Sequence, residues 1–215
     1  MILTRRLAAL FDDWHRLHWR DPFADFFHAH KGCLHAEWSY EGAGDRPRWH
    51  HSYGFVLQLL QVIEANTRNV NVNILPESGA AQAWLANAAF RLDAPTAEDN
   101  AGIVVGTGTT AEASADRALV TKIVEGSGAG QLNHGSSSFV AAAIVGANTD
   151  YVCTRPFTNN SGGSITVQEI GMFAGEDNAA PTNATNALMC RDLTGAIVHT
   201  NGTTRTGQYT WRTTV

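Results

Sequence analysis

The chain has 215 residues, 44% hydrophobic and 16% charged, with a formal charge of −5 at pH 7. This length suits one main core, and the composition excludes a disordered chain. No apolar run approaches the ~18 residues of a membrane-crossing helix, and 15 basic against 20 acidic residues leave no clustered positive patch for nucleic acid.

The first eleven residues carry Arg5 and Arg6, but Asp12, Asp13, Trp14 and His15 follow where a signal peptide would be apolar. Cys33, Cys153 and Cys190 are too few and too scattered for a disulfide framework, which points to a reducing compartment. Leu3, Leu7, Leu10, Trp14 and Leu17 alternate at spacings of four and three, so they predict one stripe of a helix that ends around Arg20 before Asp21-Pro22. A lone helix cannot bury both faces. The stripe packs on the body of the same chain or on a copy or partner, and we assign it as a partner-docking stripe.

Leu34, Ala36, Trp38 and Tyr40 alternate as a strand, the turn-rich Glu41 to Asp45 follows, and a return strand through Trp49 would complete a hairpin. Phe55 to Ile63 recur at helical spacing before Asn66, and Val70, Val72 and Ile74 predict a strand within Asn69 to Leu75. Beyond Gly102 come eight short β-favouring runs: Ile103–Val105, Leu119–Val124, Ser137–Val145, Tyr151–Phe157, Ile165–Phe173, Ala187–Leu193, Ala196–His199 and Gln208–Val215. Such spacing predicts a mainly β protein with an antiparallel sandwich or jelly-roll-like body. Residues 67–215 would form that body, and residues 1–66 an arm of helix, hairpin and second helix. Asn159 to Gly163, between two alternating strands, predicts a hairpin connection. In the last run Tyr209, Trp211, Thr213 and Val215 share one face, taken as the core side, with Arg212 on the other.

Few residues suggest chemistry. Gly102 to Ala111 imitates the dinucleotide-binding glycine fingerprint, with Glu125 downstream, yet no crossover helix or second βαβ unit follows, so a Gly-rich strand-to-loop connection is the better reading. His28, His30, Cys33 and His35 are zinc-type ligands at a spacing that fits no zinc motif. Neither Ser127 nor Ser136 to Ser138 completes a nucleophile elbow, and His134 and Asp150 form no triad by sequence proximity. Asn159, Asn183 and Asn201 begin sequons that are expected by chance in an Asn/Thr-rich chain. No catalytic, cofactor-binding or metal residues are therefore assigned, and no cofactor or small-molecule substrate is expected.

The runs Gly102-Ile-Val-Val-Gly-Thr-Gly-Thr-Thr, Ala118 to Ile123, Gly126 to Leu132, Phe157 to Phe173, Arg191-Asp192 and the closing strand resemble a group of small tailed-bacteriophage virion proteins. The resemblance covers residues 102–215, reaches back over Ser52 to Leu60 and Asn69 to Leu75, and does not include residues 1–31. It implies a non-enzymatic β-rich building block of the virion (head accessory, head-tail or tail component), assembled in the host cytoplasm with copies of itself and other virion proteins. It supplies no catalytic or ligand residues. Two other classes remain open: a carbohydrate-binding sandwich in which exposed Trp38, Trp49 or Tyr53 stack on sugars, and a metallohydrolase using the His28 to His35 cluster.

Overall fold

Along residues 204–214 every second side chain turns inward, and the larger of two main sheets is built around that strand. The computed structural model describes residues 34–45, 48–52, 55–85, 89–177 and 186–214. The strands of the larger sheet are β1 (Leu34–Gly42), β2 (His50–Ser52), β7 (Asn133–His134), β8 (Ser138–Val145), β9 (Asn148–Thr158) and β12 (Thr204–Thr214). They run in the order β2-β1-β12-β9-β7, and β8 pairs with β9 next to β7. The smaller sheet holds β10 (Ile165–Asp177) between β11 (Asn186–His199) on one edge and, in succession on the other, β6 (Gly102–Gly106) and β5 (Ala89–Arg91). Every pairing between these strands is antiparallel, and β3 (Val72–Ile74) with β4 (Gln82–Trp84) forms a third, two-stranded sheet whose Ile74 and Trp84 join the same core. The protein is mainly β.

The two main sheets pack face to face. Trp38, Tyr40, Phe157 and Tyr209 from one meet Ile103, Val105, Ile170 and Met172 from the other in a single cluster. On β12 Tyr209 is fully buried, and Gly207 and Thr210 are buried as well. Trp211, expected in the core, is half-buried and packs at its edge. The smaller sheet is covered on its second face too, where Val104, Phe173 and Leu188 meet Val56 and Leu119.

The only helix among the described residues, α1 (Leu57–Arg68), buries Gln58, Leu59, Val62 and Ala65 and leaves Leu57, Leu60 and Ile63 exposed. It runs past the Asn66 at which the sequence suggested an end. Asn66 Nδ2 donates to the Val62 carbonyl (2.8 Å) and Thr67 Oγ1 to that of Ile63 (2.7 Å), which keeps both residues helical. Asn69, left-handed at φ 52°, then stops the helix.

Five other expectations change. β1 and α1 are not parts of a separate arm: β1 pairs along its whole length with β12, and α1 packs on β11, so the division at residues 66 and 67 cuts through packed core. The return strand begins at His50, just after Trp49. Ala187–Leu193 and Ala196–His199 are one strand, β11. Leu119–Val124 forms no continuous strand: it meets β6 through a single bridge, with the Ile123 N–H donating to the Val105 carbonyl at 2.9 Å, while the Val120 and Thr121 amides donate to the Glu169 carboxylate (3.0 and 2.8 Å). Asn159–Gly163 joins no hairpin but carries the chain from β9 in one sheet to β10 in the other. The buried Asn159 side chain fixes that crossing by donating to the Gly163 and His199 carbonyls (2.9 and 2.7 Å). The predicted helix bearing Leu3, Leu7, Leu10, Trp14 and Leu17 lies outside the described residues.

Candidate docking surface

From Ser136 to Thr149 the sequence has no charged residue, and within it Phe139-Val-Ala-Ala-Ala-Ile-Val145 forms β8. A strand this apolar is normally buried. Here seven of its eight residues are exposed, Ile144 at 82% and Val140 at 60%. β8 and β9 are joined by a tight turn at Gly146, whose φ of 64° favours glycine. β8 pairs with β9 alone, so its outer edge has no partner strand among the described residues. Edge strands are usually guarded by charge, proline, bulges or a covering element. This one carries a bulge between Val140 and Ala143 and no charge.

Register separates its two faces. Phe139 stands opposite Cys153 and Ile144 opposite Thr149, on the inner face of the sheet, whereas Val140 opposite Val152 and Val145 opposite Asn148 look outward. On the inner face the Phe139 and Tyr151 rings stack at 5.9 Å and 13°, and Tyr151 meets Trp211 edge-on at 6.4 Å. On the outer face, Asp150 takes both oxygens to Arg212 (2.7 Å each), which also reaches Glu37 at 2.9 Å. That ion-pair row ties β9, β12 and β1 together beside the bare apolar strand.

The residues singled out for chemistry resolve differently. The glycine-rich run does cradle an anion, but an internal one: Gly108 N–H donates to Glu169 Oε1 at 2.9 Å. A Cβ at Gly106 would stand 2.5 Å from the same oxygen, which is why the run needs glycine. Glu169 also receives Arg191 Nε at 2.8 Å with both side chains fully buried, and Arg191 holds Asp116 (2.9 Å) and the Thr110 carbonyl (2.7 Å). The whole node pins the irregular segment 107–121 to the smaller sheet. A second buried guanidinium, Arg155, donates from all three nitrogens to the carbonyls of Pro95, Glu98, Ala101, Ile103 and Gly135. These are structural clamps, with every carboxylate and guanidinium facing another group of the chain.

Of the His28, His30, Cys33 and His35 cluster only His35 is among the described residues, paired in register with Arg212. Among the described residues no group of three His, Cys, Asp or Glu is placed to hold a metal. His134 lies buried in β7 while Asp150 is engaged by Arg212, so the two do not meet as a triad would. Cys153 and Cys190 are free and buried, and burial pushes the Cys153 thiol up to about 12, far from a reactive thiolate.

Trp38, proposed for sugar stacking, is only 3% exposed. The His50 ring already covers it at 4.5 Å and 15°. Trp49 is exposed, and Tyr53 lies outside the described residues. A cleft of about 580 Å³ opens beside the Trp38–His50 stack, lined by Tyr40, Glu41, Asp45, Arg48 and Arg205. Of its charged groups, Arg205 pairs with Asp45 at 3.0 Å, and the Glu41 carboxylate accepts the Arg48 backbone N–H at 2.8 Å. No helix among the described residues is long and apolar enough to cross a membrane.

No family model, no curated protein and no solved structure matches this chain. Sequence reasoning placed β8 as a strand but did not mark it as a surface. The signal was present, since fourteen uncharged residues, Ser136 to Thr149, surround a strand whose two faces are equally apolar.

Proposed function

We propose that the protein is a structural component of a tailed-phage virion, a head accessory, head-tail or tail part, that works by oligomerising and docking on a larger assembly. One observation carries the reading: β8 is an uncharged, apolar edge strand held out in solvent. An uncharged apolar edge of this kind templates pairing with another chain and is a liability for a free monomer. In an assembly it becomes an interface. The buried polar groups support the same reading, because Glu169, Arg191 and Arg155 spend their hydrogen bonds on the chain itself, the pattern of a scaffold. The resemblance of residues 102–215 to small virion proteins supplies the setting.

Mass spectrometry of purified particles from a phage encoding this chain tests the reading. The protein is expected in every particle at a fixed copy number. Its absence from particles, with the chain present in the infected-cell lysate, would overturn the proposal.

A further inference from the structure

The cleft beside the Trp38–His50 stack opens where both sheets leave regular pairing. In the larger sheet, β2 covers β1 only from Ala36 to Trp38, so Ser39 to Gly42 run on along an edge that has no partner strand among the described residues. In the smaller sheet, β11 bulges: Thr194, Gly195 and Ala196 stand opposite the single Gln168, between the pairs Val167–Ile197 and Glu169–Leu193. Gly195 takes the left-handed φ of 66° that this detour requires. Bulges of this kind recur beside functional sites because they bend a strand away from its neighbours. The space between the two departures, about 580 Å³, falls in the size range of small-ligand sites.

Hydrogen-bond capacity around the cleft is unevenly used. Asp45 Oδ2 accepts the Gly42 N–H at 2.8 Å and Arg205 Nη1 at 3.0 Å. The Gly42 N–H, helped by the Arg205 charge, holds the Asp45 carboxyl below the usual carboxylate range, so it stays ionised. Glu41 Oε1 accepts the Arg48 backbone N–H at 2.8 Å. Asp45 Oδ1 and Glu41 Oε2 remain able to accept. On the donor side, the Arg48 guanidinium and the His50 ring nitrogens make no hydrogen bond or ion pair among the described residues, and Arg205 uses Nη1 alone. The unengaged donors, about five on Arg48 by itself, exceed the unengaged carboxylate oxygens. A ligand that completes the set brings an oxyanion for Arg48 and hydroxyl donors for Glu41 and Asp45. The planar guanidinium suits a carboxylate or phosphate because it can hold two oxygens at once. Ala196 and Ile197 add an apolar wall, which fits a ring body better than an inorganic ion.

We propose that this cleft binds an acidic sugar, a uronate or a sugar phosphate, with its oxyanion on Arg48 and its hydroxyls on Glu41 and Asp45. Recognition is polar, since Trp38 is covered by His50 and offers no face for stacking. The cleft lies at the β1 edge of the larger sheet, across from β8, and the inference stands whether or not β8 assembles.

Saturation-transfer NMR titrations of the full chain with glucuronate, glucose 6-phosphate and glucose test it. Saturable binding of glucuronate or glucose 6-phosphate is expected, with glucose about tenfold weaker or worse. Whichever acid binds more tightly identifies the oxyanion as carboxylate or phosphate. Arg48→Gln should weaken that binding by about tenfold and leave the melting temperature unchanged, because Arg48 is exposed. Arg117→Gln, at an exposed arginine outside the cleft, should change nothing. Four results would each overturn the proposal: no saturable binding of either acid, glucose binding as tightly as the acids, no effect of Arg48→Gln, or an equal loss from Arg117→Gln, which would mean unspecific attraction to positive charge.

Discussion

Burial pushes two histidines, His134 and His199, toward the neutral form. The Nε2 of His199 faces the Thr203 carbonyl at 3.0 Å, which can only accept, so Nε2 carries the proton and Nδ1 receives the Tyr40 hydroxyl at 2.8 Å. His134 Nδ1 likewise faces the Glu98 carbonyl at 3.3 Å, and its Nε2 is buried without a partner among the described residues. Burial lowers the pKa of both below the usual value, helped by Arg155 at His134 and by Arg205 at His199. The unfolded chain takes up protons as pH falls through ~6.5, whereas the folded chain resists. Stability from this source is complete above that pH and is lost as pH falls below it, by up to ~1.4 kcal/mol per pH unit for each excess proton. Urea unfolding midpoints from pH 7.5 to 5.5 should fall, and the double variant His134→Gln, His199→Gln should show a flatter slope. Equal slopes would mean that the histidines are already charged in the fold.

At the scale of elements, β12 ranks its own residues. Tyr209 is fully buried and its hydroxyl donates to Asp192 at 2.9 Å, Trp211 is half-buried at the end of the core, and Arg212 lies outside in a cross-strand ion-pair row. Tyr209→Ala should cost ~3–5 kcal/mol, Trp211→Ala ~1–3, and Arg212→Ala about 1. Thermal melts give the order, and a Trp211 variant less stable than the Tyr209 variant would place the centre of the core one row further along the sheet. The alternation of β12 was legible in the sequence because period two depends only on the chain itself. How far along the strand the core extends was not, since that depends on where the opposite sheet ends. Leu119–Val124 misled for a related reason. Its Leu119 and Ile123 are buried as a strand's would be, but the Thr121 amide finds its partner in a carboxylate 48 residues away in sequence, and only Ile123 donates to β6. The glycines at 106 and 108 were visible as a motif, while the anion they serve, Glu169, could be named only once β6 and β10 were seen to pair. Asn159 shows the same limit, as Gly and Asn announced a turn without saying which sheet the chain would enter next.

For the whole molecule, large apolar side chains among the described residues stay exposed on β8, along Leu57, Leu60 and Ile63 of α1, and singly at Trp49, Val70, Leu75, Val120, Val124 and Val198. The composition set expectations about partners, and the strand pattern gave the mainly β architecture. Neither could show that β8 stands at an edge, because its sequence is equally compatible with a strand buried in the middle of a sheet. Assembly through that edge is the central claim. Sedimentation of the full chain at micromolar concentration, beside Val140→Lys, tests it most directly. Val140 faces outward and is 60% exposed, so the lysine should leave the melting temperature unchanged while placing a charge on the pairing edge. The account predicts that the parent sediments as a multiple of 23.2 kDa and that Val140→Lys shifts it toward the single chain. A parent that sediments as a single 23.2 kDa chain, or an oligomer that Val140→Lys leaves intact, would contradict it.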